Sequence, residues 1–557
     1  MQISDERNAA VIPIHWNKKL IMLAVLGIIL YFGSNITLSL VKGNTTEGGL
    51  ETPAVKPAQA GEAALQYASS KLGLTAEAPE AALLSDKRAS GFIAKYNLRK
   101  AYEDNLSAYM HLDYWLVSAD LPNGEKIRVK VGLDKPEVLG WELLTDQPNR
   151  TPGSGLAIAS EALRAAGHNP EEFAYQGSST ISAQEPASFT FISHNLGVSD
   201  AAFAVTVKVS GDRAVAVTPE LRMPQSYLDW MDQQERIVRL TSVGFLIFTA
   251  VMGIAALVLA IVNRKRVSWS RGLLLTGIFL ALFLIQNFNV TQAMLMAETT
   301  ALTMEALAAI IMNVIIMGLA LLLALAVWFS LLSGEQQLRR LDLKLWPRWR
   351  DPEFGREMFY GMGRGYLICL FILGIQQAAF LIAGLAFDSF TINDPSQSTW
   401  NMKWAILFPA SAWVAAIMEE AIYRVFGIAV LKRLFRFTFP AVLVSSFIWG
   451  LGHTGYSIFP SYTRLMEVTV LGLIFGYVFL RYGFFTAVFA HAIMDSLLMS
   501  IYLMVEQPTL SHILAGIFYI ILPALIGFII RYLHPRFGGP RRRPPEATEP
   551  PYGVPQG

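Results

Sequence analysis

The sequence is poor in cysteine and in charged residues. Its 557 residues include one cysteine, Cys369, so an intrachain disulfide and a zinc site built from cysteines are both excluded. Only 16% of the residues are charged, whereas a typical soluble domain has about a quarter. Hydrophobic residues make up 53% of the chain and the mean hydropathy is +0.40. This composition predicts a polytopic membrane protein, with Cys369 packed in its apolar core.

Two further absences concern partners and metals. The formal net charge is only +2, and no nucleic-acid partner is predicted. The chain also contains no H-E-x-x-H motif, the spacing that places two histidines of a zinc site on one helical face.

Ten apolar segments are long enough to be membrane spans, each of which needs about 20 residues. The first has no clear small-residue cleavage site, which favours a retained anchor over a removed signal peptide. The anchor is followed by four spans in residues 240–387 and by a core in residues 404–532. The ten predicted spans are 20–41, 240–262, 272–290, 308–332, 366–387, 404–431, 438–455, 465–481, 484–505 and 513–532.

Lysine and arginine predict the orientation of these spans. They concentrate before the first span and in the loops after the second, fourth and sixth, whereas the alternate loops are nearly free of them. Because basic loops stay in the cytoplasm, both termini are predicted to be cytoplasmic. These termini are residues 1–19 and a basic, proline-rich tail, residues 533–557, that is predicted to be disordered.

Residues 43–235 consequently lie outside and have a different pattern. An alanine-rich helical segment that ends at a glycine occurs twice, in AGEAALQYASSKLG and in SGLAIASEALRAAGHNPEEF. Each is followed by alternating apolar runs around a turn, NGE in the first and SGD in the second. The pattern predicts two α+β repeats, which resemble PepSY modules. The predicted fold is therefore a mainly α transmembrane bundle with an extracytoplasmic α+β insert after the first span.

The stretch AAIMEEAIYRVFG places three charges inside an apolar run of spanning length. Charged groups inside a bilayer are expensive and are a functional hypothesis by default. Glu420 and Arg424 are four residues apart and can pair on one helical face. Glu419 lies about 100° around the helix and has no such local partner. The alternative is that all three charges only hold helices together.

Two later spans carry further titratable groups. FIWGLGHTG places His453 one turn after Trp449, and FAHAIMDSL places His491 and Asp495 on one face. From a rise of about 1.5 Å per residue, the two histidines and Glu419 fall near the same depth in the bilayer. Three helices are therefore predicted to converge on one buried site.

These residue types suit peptide-bond hydrolysis. A carboxylate in a pocket of low dielectric can act as a general base on water, and a histidine with Asp495 can stabilise an oxyanion. Glu419, His453 and His491 are also a ligand set that zinc accepts, so a metal site is kept as the alternative.

The ordered motifs resemble a known family. EEAIYR fits E-E-x-x-x-R, Trp449 to His453 fits aromatic-x-x-x-His, and His491 to Asp495 fits His-x-x-x-Asn/Asp. The set is similar to that of the CPBP or Abi family, which includes type II CAAX prenyl proteases and bacteriocin-processing or immunity-related proteins. The resemblance covers roughly residues 400–505.

The resemblance implies an intramembrane endopeptidase with roles for seven residues. Glu419 would activate water with His453, and His491 with Asp495 would stabilise the oxyanion. Glu420, Arg424 and Trp449 would support the site. A glutamate mechanism without a cofactor is favoured over zinc. This chain has Asp495 where the prenyl-protease branch typically carries asparagine, so the resemblance is weaker support for a prenylated substrate.

Two other functions are kept open. A non-catalytic immunity or scaffold relative would have the same motifs, and in a proton-coupled transporter the acidic groups and histidines would relay protons. The chain shows no internal repeat among its spans, which is unfavourable for a transporter. The partners expected are the lipid bilayer, a membrane-embedded or lipid-modified peptide substrate, and an extracytoplasmic peptide ligand or regulator. The expected location is a bacterial cytoplasmic membrane.

Overall fold

The structure is a computed structural model that describes residues 17–42, 52–144, 155–179, 186–298, 302–343 and 345–538. The side chains of Lys42 and of residues 291–310 also fall outside this description. The predicted N-terminal segment before residue 17 and the proline-rich tail after residue 538 lie outside the described residues. Within the predicted tail, residues 533–537 are the last part of a helix.

An eight-stranded antiparallel sheet with helices forms the segment between the first and second long helices. Its strand order is β1-β2-β3-β4-β8-β7-β6-β5. The strands are β1 Glu77–Ser85, β2 Asp113–Asp120, β3 Lys126–Val131, β4 Val138–Leu144, β5 Phe173–Ser179, β6 Ala187–Val198, β7 Ala201–Ser210 and β8 Arg213–Arg222. The helices that precede or interrupt them are α2 Pro57–Leu72, α3 Lys87–Lys95, α4 Arg99–Asn105 and α5 Gly155–Ala165.

The sheet consists of two halves, each with four strands in antiparallel succession. Helix α2 precedes the first half and α5 the second, and the last strands of the two halves pair, with Trp141 opposite Val217. The predicted hairpins are β2–β3 and β7–β8. Helix α2 ends at Gly73, whose φ of +66° is the left-handed conformation that glycine adopts easily.

The remaining helices form a bundle, and eight of the described helices are long and apolar enough to cross a membrane. The chain is thus a multi-pass membrane protein. The eight spans come from α1 Lys18–Lys42, α6 Gln225–Val262, α7 Leu273–Glu298, α8 Leu302–Arg340, α9 Phe354–Ala386, α13 Ser461–Tyr482, α14 Phe484–Glu506 and α15 Leu510–Phe537.

The other two predicted spans are present as helical segments but differ from the prediction. Segment 404–431 is not one helix but is divided into a 3₁₀ turn, α10 Ser411–Glu419, a π-helix Glu420–Ile428 and α11 Ala429–Phe435. Segment 438–455 contains α12, Thr438–Leu451, which at 14 residues is shorter than predicted.

Helix α6 relates the sheet to the bundle. It starts three residues after β8, and its 38 residues extend about 57 Å. The sheet therefore lies at one end of the bundle, and the basic loop 263–271 lies at the other. The described chain also ends there. Arg271 of this loop donates to the Trp346 carbonyl over 2.6 Å, and the nearby Trp349 indole N–H donates to the Phe537 carbonyl over 3.2 Å. Loop 263–271 and the end of the described chain thus lie at the same end of the bundle, as the distribution of basic residues predicts. Which side of the membrane this end faces stays a prediction.

The sheet is joined directly to loops of the bundle. The short strands β9 Phe390–Thr391 and β10 Ile458–Phe459 pair with one another. Ile392 and Phe459, from these loops, belong to the same buried apolar cluster as the core of the sheet. The Asn401 side chain donates to the Leu83 carbonyl over 2.8 Å and accepts from its N–H over 2.7 Å. The loops that flank the titratable motifs are therefore anchored to the eight-stranded sheet, which is called the outer sheet because it lies beyond one end of the bundle.

Helices α1 and α9 pack against each other through glycines. A Cβ added at Gly27 would clash with the Leu370 carbonyl oxygen, and one added at Gly374 would clash with the Gly27 carbonyl oxygen. Small residues permit this close approach between membrane helices. Cys369, next to Leu370, is buried with a free thiol, as its apolar surroundings predict.

Candidate active site

Glu419 is the last residue of α10 and lies where the α-helix changes to the π-helix. In a π-helix the hydrogen bonds run to the fifth residue, and such segments occur frequently at functional sites. The Trp449 indole N–H donates a short hydrogen bond to Glu419 Oε2. Predicted from sequence only as a supporting aromatic, Trp449 thus contacts the central carboxylate directly.

His491, in the middle of α14, is surrounded by three carboxylates. Its Nδ1 lies 3.0 Å from Glu420 Oε1. Its Nε2 lies 3.6 Å from Glu419 Oε2 and 3.4 Å from Asp495 Oδ2. The His491 side chain is 3% exposed, so these carboxylates fix the orientation of the ring.

Glu420 and Arg424 lie together, as their spacing predicts. Arg424 Nη1 is 3.4 Å from Glu420 Oε1, and both side chains are almost completely buried. The guanidinium also lies 4.2 Å from the centre of the Trp449 ring, in a cation–π arrangement. Arg424 therefore offsets a buried negative charge, while Glu420 positions His491.

His453 is displaced from its predicted position. The sequence places it inside a span, but α12 ends at Leu451 and His453 lies in the turn that follows. Its Nδ1 is 2.9 Å from the Trp449 carbonyl oxygen, and its Nε2 faces Glu419 Oε1 at 4.0 Å. The ring is stacked on Tyr456, with centres 5.9 Å apart. Glycines at positions 450, 452 and 455 flank the end of this helix, and glycine has a low helix propensity.

The structure thus brings all seven predicted residues to one place. Glu419, His453 and Asp495 keep part of their surface accessible, with side chains 12%, 16% and 18% exposed. The deeper members, Glu420, Arg424, Trp449 and His491, are buried. The three accessible side chains are the groups that an entering molecule can reach.

Phe475 on α13 contributes to the site, although the sequence analysis did not identify it. Its ring lies 4.9 Å from that of His491 and 5.4 Å from the Arg424 guanidinium carbon, measured between centres. It therefore closes the apolar side of the site. One phenylalanine among 33 in the chain carries no sequence signal of its own.

A second polar network lies nearby on α13. Arg464 Nη1 donates to Glu467 Oε1 over 2.7 Å, and the Gln376 amide donates to the same oxygen over 2.9 Å. The Arg464 guanidinium also lies 4.9 Å from the Tyr456 ring centre. The i, i+3 spacing of Arg464 and Glu467 inside an apolar span was a readable signal that the sequence analysis did not use.

The described residues do not provide a preformed zinc site. The zinc alternative needs Glu419, His453 and His491 around one ion. Within the part of the chain that the structure describes, no three His, Cys, Asp or Glu side chains are arranged to hold a metal ion. One carboxylate oxygen of Glu419 accepts the Trp449 N–H, and the other faces His453 Nε2 at 4.0 Å.

Two asparagines of the apolar helix α7, Asn287 and Asn289, have local partners. Asn287 donates to the Phe283 carbonyl of its own helix over 2.8 Å. Asn289 donates to the Trp404 carbonyl and accepts from its N–H, over 3.1 and 2.6 Å. These bonds are ordinary helix and loop hydrogen bonding.

Comparison with known proteins finds a family that is similar to the segment holding this site. Residues 400–497, which contain all seven predicted residues, match the family described as "Type II CAAX prenyl endopeptidase Rce1-like". The chain is also 33% identical, over 81 residues, to the sporulation-killing factor biosynthesis protein SkfC of Bacillus subtilis (strain 168). That alignment covers 14% of this chain and 16% of the relative. No solved structure matches the chain.

The family resemblance of the three motifs is therefore confirmed. The match to the Rce1-like family is confined to residues 400–497, under a fifth of the chain. The match covers the helices that build the candidate site and leaves the sheet outside it.

Proposed function

We propose that this protein is an intramembrane endopeptidase in which Glu419 activates the attacking water. The observation that carries the proposal is the convergence of two histidine Nε2 atoms on one carboxylate: His453 at 4.0 Å and His491 at 3.6 Å. The Trp449 indole holds the same carboxylate in place. A base fixed by neighbouring donors within reach of a water is what general-base catalysis requires.

The attacking water lies between Glu419 and His453 in this proposal. Their facing atoms, Oε1 and Nε2, are 4.0 Å apart, so one water can hydrogen-bond to both at ordinary distances. Glu419 takes a proton from this water while the water oxygen forms a bond to the carbonyl carbon of the peptide. When the carbon–nitrogen bond breaks, Glu419 passes the proton to the leaving amine.

His491 stabilises the oxyanion of the tetrahedral intermediate. Glu420 accepts the Nδ1–H of the imidazole, and Asp495 lies 3.4 Å from Nε2. With a proton on each nitrogen, the ring donates from Nε2 to the negatively charged oxygen, and such preorganised donors are a large source of catalysis. Asp495 acts as a positioning residue for His491, which fits its carboxylate better than direct donation to the oxyanion.

The substrate class proposed is a membrane-embedded or lipid-modified peptide. The site lies among helices of spanning length, so the scissile bond must enter from the bilayer or be delivered there by a lipid. The outer sheet then binds a peptide or a regulator, and the protein resides in a bacterial cell membrane with both termini in the cytoplasm.

The test is cleavage of a fluorogenic peptide pool with prenylated and unprenylated members by purified protein in detergent. Wild type and Glu357→Gln, an exposed control in the first turn of α9, should cleave equally. Glu419→Gln, equally well folded, should lose at least about a thousandfold in kcat. The absence of cleavage by folded wild type across the pool would favour a non-catalytic relative.

A further inference from the structure

A large cavity lies at the end of the bundle opposite the outer sheet. It has a volume of about 890 Å³, within the usual range for pockets that bind organic ligands. Its interior is apolar and is lined by helices α7, α9, α10, α14 and α15. Its apolar side chains include Leu274, Ile278 and Leu282 of α7, Met358 of α9, Ile417 of α10, Val488 of α14, and Leu522 and Ile526 of α15.

The mouth of the cavity is basic and aromatic. Arg271, Arg348 and Arg350 line it together with Trp346 and Trp349. The Arg271 guanidinium lies 4.0 Å from the Trp346 ring centre. Tryptophans beside basic groups are typical of the interface between hydrocarbon and lipid headgroups.

The positive charge at this mouth exceeds the negative charge available to neutralise it. Arg271, Arg339 and Arg348 all lie within 3.1 Å of one carboxylate, that of Glu335. Arg350 is exposed and forms no ion pair within the described residues. Asp351 accepts the backbone N–H of Arg348 over 2.6 Å, and Glu353 pairs with Arg356. These five arginines and three carboxylates leave a net charge of +2.

We propose that this cavity binds one anionic phospholipid. The phosphate lies against Arg271, Arg348 and Arg350, and one acyl chain fills the apolar interior. The charge excess selects an anion, and the apolar interior requires that the anion carry a long hydrocarbon chain. Basic groups at a membrane surface attract anionic lipids by about 1 kcal/mol each, or about fivefold in affinity.

The site is distinct from the candidate active site but shares two of its helices. None of the seven active-site residues lines the cavity. Ile417 and Phe489 do line it, and each lies two residues before an active-site residue, Glu419 and His491 respectively. A bound acyl chain therefore contacts the opposite sides of α10 and α14, and the inference does not depend on the proposed hydrolysis.

The test is lipid retention by the full-length protein, measured by native mass spectrometry from detergent. Phosphatidylglycerol and phosphatidylcholine with identical acyl chains are the probes, and glycerol phosphate tests the headgroup alone. The variant is Arg348→Gln/Arg350→Gln. The control, Arg264→Gln/Arg266→Gln, makes the same charge change at two exposed arginines of the loop after α6 that do not line the cavity.

We expect wild type and control to retain phosphatidylglycerol at least tenfold better than phosphatidylcholine, with no binding of glycerol phosphate. The double variant should lose about 30-fold in phosphatidylglycerol affinity. Leu522→Trp, which fills the cavity, should reduce the retention of phosphatidylglycerol without loss of thermal stability. Equal retention of the two lipids by wild type would overturn the proposal. Displacement of phosphatidylglycerol by a farnesylated peptide, and not by its unmodified counterpart, would also overturn it, because the cavity would then hold the lipid of a substrate.

Discussion

Trp449 donates its indole N–H to the carboxylate of Glu419, joining α12 to the junction between α10 and the π-helix. The same indole ring lies under the Arg424 guanidinium. One tryptophan thus connects the proposed base to the buried charge pair that supports His491.

Trp449→Phe should slow hydrolysis without unfolding the protein. Phenylalanine keeps an aromatic ring under Arg424 but removes the N–H that orients Glu419. A hydrogen bond to a charged group contributes about 1.5–3 kcal/mol, so we expect kcat to fall about 10- to 100-fold with little change in KM. Trp328→Phe on α8, whose indole N–H has no partner among the described residues, is the control and should leave kcat unchanged. Equal effects of both substitutions would show that the Trp449 N–H has no catalytic importance.

Removing Arg424 should destabilise the bundle more than removing the whole charge pair. Arg424→Met leaves Glu420 buried without its cation, which is expected to lower the free energy of unfolding by about 3–5 kcal/mol. Glu420→Gln/Arg424→Met removes both charges of the pair and should recover most of this loss. Unfolding of purified protein in mixed detergent measures both values. A loss in the double variant equal to the sum of the losses in Glu420→Gln and Arg424→Met measured singly would argue against a coupled pair.

Asn401→Ala should loosen the junction between the outer sheet and the bundle. The substitution removes both hydrogen bonds to Leu83 and one to the Pro395 carbonyl. We expect a loss of about 2–4 kcal/mol, because the buried backbone groups lose their partners. Hydrogen exchange should accelerate in β1 and in loop 452–460. Asn195→Ala, at an exposed position of β6, should change neither segment, and similar exchange in both variants would refute this view of the junction.

The outer sheet should lose stability on acidification through His168. Burial lowers the pKa of His168 below its usual 6.5, and its ring is packed against Phe173 and Phe203. Since the unfolded chain takes up the proton first, stability is greatest above pH 6.5 and falls as the pH decreases toward the folded-state pKa. The protection factors for hydrogen exchange in β5 and β7, which correct for the intrinsic exchange rate at each pH, should therefore decrease as the pH is lowered from 7.5 to 5.5.

The control pair for this pH effect is His168→Phe and His194→Phe. His168→Phe removes the titrating group and should abolish the contribution of this site to the pH dependence. His194 is exposed, so its replacement should leave the pH dependence as in wild type. An unchanged pH profile in His168→Phe would exclude this histidine as the cause.

Local patterns predicted much of the fold and most of the site. Hydropathy located the long helices, and alternation around NGE and SGD located the two hairpins. The four-residue spacing of Glu420 and Arg424 predicted their contact. Each of these features depends on residues that are close in the chain, which is why the sequence alone displays them.

The remaining features depend on distant contacts. The π-helix is stabilised partly from another helix, since the Ser445 hydroxyl donates to the Tyr423 carbonyl. The outer sheet is joined to the bundle by Asn401 and Leu83, which are 318 positions apart. Neither contact has a spacing that can be recognised in the sequence. The end of α12 before His453 is a different case. The three glycines at positions 450, 452 and 455 lie beside it in the sequence and lower the local helix propensity.

Independence from a metal ion is the part of the proposed mechanism that a single measurement can contradict most directly. The decisive measurement is the cleavage rate of wild type after exhaustive zinc chelation, compared with untreated wild type and with Glu419→Gln on the same peptide. We predict that chelated and untreated wild type have equal kcat and that Glu419→Gln loses at least about a thousandfold in kcat. Loss of activity on chelation, restored by added zinc, would contradict a glutamate mechanism and would assign Glu419 to a metal instead.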